Sequence, residues 1–167
     1  MLQHQDIVNE LPRLRRYARA LTHNATLSDD LVQDTVERAL SRFTLWRPGN
    51  LRAWLFAIMH NLYVNQVRSA PPLAYTGEEP LPEIPVRASQ ADSLEMRDLA
   101  RALARLPIEQ REVLLLIGLE DFSYEEAAKI IDVPIGTVMS RLSRGRERLR
   151  ALLAGSELPE PQLKVVK

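Results

Sequence analysis

Residues 70–92 constrain this chain more than any other stretch. The segment opens on Ala70-Pro71-Pro72 and continues through Pro80, Pro82 and Pro85. Proline fixes φ and offers no amide donor, so neither a helix nor a sheet ladder can run through such a stretch. A structureless loop of this length is unusual inside one compact domain. The chain should therefore divide into a first unit, residues 1–69, a linker, residues 70–92, and a second unit, residues 93–155. A tail, residues 156–167, is loosened by Pro159 and Pro161. With 167 residues, 46% of them hydrophobic, each unit has enough apolar material for a small core of its own.

On both sides of the linker, apolar residues step by three and four, the helical period. Ile7, Leu11, Leu14, Ala18 and Leu21 mark a first helix, in which Pro12 is either a first-turn residue or a kink. Ser28 is the expected cap of a second helix, with Asp29 and Asp30 in its first turn and Val32, Val36, Ala39 and Phe43 as its buried stripe. Pro48 and Gly49 make a turn, and Asn50 caps a third helix that buries Leu51, Leu55, Ile58 and Leu62. After the linker, Ser93 is the expected cap of a helix carrying Met96, Leu99, Leu103 and Leu106. Val113–Ile117 reads as the buried centre of the second unit, closed by Gly118. Ser123 and Glu126 have capping-box spacing, Asp132-Val133-Pro134 is a tight turn, and a last helix runs from about Ile135 to Leu153. No segment alternates with period two long enough to be a strand. The fold class is all-α: two small helical domains joined by a Pro-rich linker, the second containing a helix-turn-helix.

Composition excludes several classes. There is no cysteine, so disulfide scaffolds, thiolate zinc sites and cysteine nucleophiles are ruled out, and the three scattered histidines make a poor metal site. No apolar run is long enough to cross a membrane, and Met1–Glu10 lacks the basic-then-apolar pattern of a secretory signal, so a cytoplasmic location is expected. No nucleophile–base set, phosphate-cradling glycine loop or metal spacing is present. Enzymatic activity, a cofactor and a small-molecule substrate are therefore not expected. The formal net charge is zero, but it is unevenly spread: +3 over residues 1–69, −3 over residues 70–92 and +4 over Lys129–Arg150.

That last basic stretch has the layout of a major-groove helix. At about 100° per residue, Val138, Leu142, Gly145, Leu149 and Leu152 fall on one side, and Ser140, Ser143, Arg144 and Glu147 on the other. Thr137, Arg141 and Arg148 flank one edge of that polar face, Arg146 and Arg150 the other. Small or bidentate side chains at the centre reach base edges, while cations at the rims meet the phosphate walls. A solvated amphipathic helix would share the charge, but not the capping box, turn and two-sided rim together.

Here the residues resemble a known family. Ser123-Tyr124-Glu125-Glu126-Ala127-Ala128, Gly136-Thr137-Val138-Met139-Ser140-Arg141-Leu142 and Arg144-Gly145-Arg146 resemble domain 4 of bacterial sigma factors, nearest the extracytoplasmic-function (ECF) class. Leu106-Pro107 with Gln110-Arg111-Glu112-Val113-Leu114-Leu115 resembles the preceding helix of that domain. The resemblance implies reading of the −35 promoter element, with Ser140, Ser143 and Arg144 on bases and Thr137, Arg141 and Arg146 on phosphates. Met139 departs from the family pattern, in which many members carry a basic residue there.

The first unit resembles domain 2 of the same class. Asp29-Asp30-Leu31-Val32-Gln33-Asp34 with Glu37-Arg38-Ala39 resembles the helix that grips the clamp coiled coil of the polymerase's largest subunit, which implies contacts by Asp29, Asp30, Leu31, Gln33, Asp34 and Glu37. Trp54-Leu55-Phe56-Ala57-Ile58 with Asn61 and Asn65 resembles the helix that reads the −10 element with the loop before it. Each amide of Asn61 and Asn65 offers both a donor and an acceptor to an unpaired base. The loop Thr44–Asn50 can supply a pocket wall and, through Arg47, a phosphate contact, while Trp46 fits either a base platform or the core. Trp54 fits either a base platform or the core.

Each base-pair step holds about 1.4 kcal/mol of stacking, so a bubble of ~12 pairs costs well over 10 kcal/mol, more than a chain of this size can supply. Core RNA polymerase is thus the implied obligate partner, promoter DNA the target, and an anti-sigma factor the implied regulator. The resemblance also implies that the acidic linker can lie in the basic channel that later holds nascent RNA, although a solvated acidic spacer fits its charge equally well. Two rivals remain at this stage: a helix-turn-helix regulator that acts without polymerase, and a sigma mimic that only occupies an inhibitor.

Overall fold

The computed structural model describes residues 2–45, 49–69 and 90–155. Most of the linker, Trp46-Arg47-Pro48 and the tail from residue 156 lie outside the described residues. Seven α-helices follow in order among the described residues: α1 (Leu2–Thr22), α2 (Ala25–Ser41), α3 (Leu51–Ser69), α4 (Gln90–Ala104), α5 (Ile108–Leu114), α6 (Tyr124–Ile131) and α7 (Ile135–Leu153). No strand is present among these residues, in agreement with the all-α reading.

Pro12 sits inside α1. Val8, whose carbonyl it leaves without a helical donor, is half exposed, so water can serve that carbonyl. The second helix begins earlier than Ser28 suggested. Asn24 is its cap, accepting from the Leu27 amide at 3.0 Å through Oδ1, and Ser28 is buried within the helix. An Asn four residues upstream is as good a cap as the Ser, and the left-handed residue His23 before it fixes where the chain turns (φ 52°). Asp29 and Asp30 therefore lie beyond the first turn. The Asn50 cap is present, its Oδ1 accepting from the Ala53 amide at 3.1 Å.

Helix α3 buries Leu55, Phe56, Ile58, Met59 and Tyr63, more than one face. A helix apolar on most sides is covered on most sides. Here α1 and α2 cover one flank and α6 another.

In the second unit α4 starts at Gln90, so Ser93 is inside the helix and not its cap. Helix α5 continues without a break into a π-helical stretch, Leu115–Leu119. Gly118 lies within that stretch and does not cap it. The turn comes later, at Glu120 and left-handed Asp121 (φ 57°), where the Phe122 amide donates to the Leu116 carbonyl at 3.0 Å. The Ser123–Glu126 capping box forms, with both reciprocal bonds present. Asp132 takes the left-handed conformation (φ 56°) that closes α6, and α7 occupies the predicted span.

The two units do not keep separate cores. Buried residues of both belong to one continuous cluster. Its seam is aromatic: Phe56 meets Tyr17 edge-on at 5.0 Å between ring centroids and Phe122, from the second unit, at 5.1 Å.

Candidate nucleic-acid and polymerase interfaces

The short helix α6, the Asp132-Val133-Pro134 turn and α7 form the helix-turn-helix. Val138, Leu142 and Gly145 anchor α7 to the core, and α5 and α6 pack on that side. The opposite side presents Ser140, Ser143, Arg144 and Glu147, all exposed, together with Met139. Arg146 and Arg150 are exposed along one rim, while Thr137 and Arg141 are half-buried along the other. The helix thus brings all six residues expected to meet the −35 duplex onto its polar face and rims. Ser143 and Arg146 also line an open groove of about 580 Å³ with Tyr124, Met139, Leu142, Glu147 and Arg150. Tyr124, at the first turn of α6, adds a phenol to this groove that the sequence reading did not use.

On α2, Asp29, Asp30, Gln33, Asp34 and Glu37 are exposed on one polar face, where Gln33 donates to Glu37 at 3.2 Å. Leu31 departs from the expectation. It is completely buried in the core, so it shapes the helix's seat and has no surface to offer a polymerase. An apolar residue flanked by acids was read as part of their face, but at 100° per residue it points with Ser28 and Thr35 to the inside.

Asn61 and Asn65 are exposed one turn apart on α3. They line a small cavity of about 80 Å³ with Ile58 and Leu62 at its apolar side and Arg38 and Arg42 from the end of α2. The sequence reading missed both arginines. Their four-residue spacing was a usable signal of a shared face, but only the packing of α2 on α3 shows which face it is. Trp54 is half-buried and packs edge-on against Phe43 (centroids 6.2 Å), which fixes its ring beside the loop that leads into α3. Arg47 lies in that loop, outside the described residues. No cluster of metal-binding side chains occurs among the described residues, and no described helix is long and apolar enough to cross a membrane.

A helical unit with an exposed acidic face, followed by a helix-turn-helix with a basic rim, has the layout of a two-domain protein of the sigma type. Residues 7–60 match the family described as the sigma2 domain of PhyR, and residues 96–149 match sigma-70, region 4. Over 150 residues the chain is 40% identical to the ECF RNA polymerase sigma factor EcfG of Rhodopseudomonas palustris, covering 89% of this chain and 83% of that protein. It is also similar to the sigma factor RpoE of Bartonella quintana, solved in complex with the anti-sigma factor NepR. That match has 36% identity and a TM-score of 0.76, and covers 92% of this chain and 98% of the other. The solved PhyRSL–NepR complex of Sphingomonas sp. Fr1 matches at 26% identity and a TM-score of 0.67, over 96% of this chain and 94% of that one. The chain belongs to the ECF RNA polymerase sigma factors. Sigma factors are transcription initiation factors and not enzymes.

Proposed function

We propose that this chain binds core RNA polymerase through the exposed acids of α2 and directs promoter-specific initiation. In this reading α3 takes the −10 element and α7 the −35 element. Asp29, Asp30, Gln33, Asp34 and Glu37 make the polymerase face. Asn61 and Asn65 read unpaired −10 bases, with Arg38 and Arg42 beside them as cations for the backbone, and Arg47 and Trp54 complete that site from the loop and the start of α3. Ser140, Ser143 and Arg144 meet −35 bases, and Thr137, Arg141 and Arg146 the flanking phosphates. The two functional domains are residues 1–69 and a second unit that starts with α4 at Gln90 and runs to residue 155, joined by the linker before it. The protein works in the cytoplasm, where core polymerase and DNA are, and an anti-sigma factor controls it. The NepR-bound relative supports that last assignment.

The observation that carries this reading is the co-occurrence, in one chain and in order, of the two sigma-type matches with an intact basic recognition helix. The match of the first unit to the PhyR domain keeps a second reading alive, a mimic that occupies an anti-sigma factor without reading promoters. Exposed Arg144 and Arg146 argue against it, because a mimic has no use for a DNA face. Run-off transcription with purified core polymerase on a library of upstream sequences from the same genome separates the two. Discrete start sites that need this protein support the sigma factor. Stable core or anti-sigma binding with no start sites favours the mimic.

A further inference from the structure

Large apolar side chains stand exposed on the helix assigned above to the −35 duplex. Met139 is 50% exposed and Ile135 43%, and their four-residue spacing stacks them on one flank of α7. Tyr124, at the start of α6, is 37% exposed and lines the same open groove as Met139. Arg146 and Arg150 follow along that flank and line the groove too. At 1.5 Å per residue they lie roughly 10 and 16 Å down the helix axis from Met139. The flank is thus apolar at its N-terminal end and cationic beyond it. One exposed apolar residue needs no explanation, but three at one end of one groove mark a contact surface.

A recognition helix meets base edges with its N-terminal residues, and Met139 lies in the second turn of α7. Its thioether has no proton to donate to a phosphate and is a weak acceptor towards a base. What it offers is apolar surface. Of the groups that base pairs display in the major groove, the C5-methyl of thymine is the apolar one. Arg146 and Arg150, on the same flank, supply the charge that holds a phosphate wall alongside. Ser143 lines the groove with Met139, so the apolar surface continues the one assigned to bases.

We propose that Met139 is a specificity-determining residue, which selects thymine at one position of the −35 element through contact with its C5-methyl group. The inference rests on the sigma-factor reading above, and adds an apolar readout to the polar one assigned to Ser140, Ser143 and Arg144. Methyl and thioether leave water together when α7 enters the groove, and that is the driving force of the contact. The unbranched side chain of Met139 can follow the base edge without a fixed rotamer. An A·T pair carries thymine on one strand only, so the contact distinguishes A·T from T·A as well as from G·C.

Deoxyuridine pairs with adenine as thymidine does and lacks only this methyl group. Promoters found by run-off with core polymerase are rebuilt with each −35 thymine, on either strand, replaced singly by deoxyuridine. With the parent protein, one replacement should raise the holoenzyme concentration for half-maximal run-off by about fourfold, the worth of one buried methyl group. Met139→Ala should need more holoenzyme on the thymine promoter and should no longer distinguish it from the uracil one. Met139→Leu should keep part of the discrimination. Arg146→Ala should weaken both promoters alike and keep their ratio. Met139 is half exposed, so its replacement leaves the core intact, and thermal melts by circular dichroism check this. A −35 element without an A·T pair, or one in which no methyl matters, overturns the assignment. If Met139→Ala is weakened but keeps the fourfold ratio, the apolar surface serves a protein contact within the holoenzyme and the proposal fails. Absence of start sites with the parent overturns the sigma reading itself, whereas transcription indifferent to the methyl overturns only the role of Met139.

Discussion

The guanidinium of Arg111 donates at 2.7 Å to the main-chain carbonyl of Leu21, so a residue of the second unit caps the last turn of α1 in the first. Its other donors stay at home. Nε reaches the Leu103 carbonyl at 2.8 Å, and Nη2 reaches those of Ala104 and Leu106 at 2.9 and 3.0 Å. The final carbonyls of a helix have no intrahelical donor, and this buried cation serves the ends of two helices at once. Arg111→Met should leave these carbonyls without their donor and lower unfolding free energy by about 3 kcal/mol. Arg111→Lys should recover little of it, because one ammonium cannot span carbonyls that a planar fork reaches together. Urea denaturation of the three proteins checks both statements. A lysine variant as stable as the parent would show that charge alone suffices.

At Gly145, α7 packs tightly against Leu114 and Gln110 of α5. A Cβ there would stand 3.1 Å from Leu114 Cδ1 and 3.3 Å from Gln110 Cβ. Gly136, the second residue of the same helix, has nothing within 4 Å of such an atom. The two glycines should therefore respond with opposite signs. Gly145→Val should destabilise by about 2 kcal/mol through overpacking. Gly136→Ala should stabilise by about 0.5 kcal/mol through the unfolded chain and helix propensity. Thermal melts of both variants test the contrast, and a loss at Gly136 as large as at Gly145 would contradict it.

What the sequence made legible was what neighbouring residues decide. The Ser123–Glu126 box, the Asn50 cap and the span of α7 each depend on a few adjacent side chains, and each appears as expected. Ser28, Ser93 and Gly118 are equally local signals, but each had a competitor. Asn24 captured one helix start, α4 extended past Ser93 to Gln90, and the π-helical stretch carried the chain beyond Gly118. The polar face of α7 was readable because one helix contains it whole. The arginines beside Asn61 were not, since Arg38 and Arg42 join that site only through the packing of α2 on α3. The seam between the units was least visible, because Tyr17, Phe56 and Phe122 are far apart in sequence and each could have served a private core.

His23 gives the fold an acid-sensitive point. It closes α1 in the left-handed conformation, its amide donating to the Arg19 carbonyl at 3.0 Å. Burial first, and Arg111 second, lower the imidazole pKa from 6.5 to about 4. Between those values the unfolded chain binds a proton that the folded chain refuses. This contribution to stability is therefore fully present above pH 6.5 and is lost as pH falls towards 4. Asn tolerates the left-handed backbone and does not titrate, so His23→Asn should flatten the decline of unfolding free energy across that window. Denaturation curves at pH 7.5, 5.5 and 4 measure it, and parallel declines for parent and variant would locate the acid sensitivity elsewhere.

The polar face of α7 predicts two distinguishable kinds of damage. Arg144 is exposed at the centre of the face, flanked by Ser140 and Ser143, where a bidentate side chain reaches a base edge. Arg144→Ala should reduce use of the cognate −35 element by an amount worth about 1–3 kcal/mol and relax preference at one base position. Arg141 and Arg146 stand at the rims. Replacing either by alanine should weaken all −35 sequences alike and lower the salt dependence of promoter binding by about one counterion. Transcription by core polymerase from a pool of randomised −35 sequences, repeated at two salt concentrations, separates the two classes. If Arg144→Ala only scales every sequence equally, Arg144 is a phosphate contact, and base reading by α7 falls to Ser140 and Ser143.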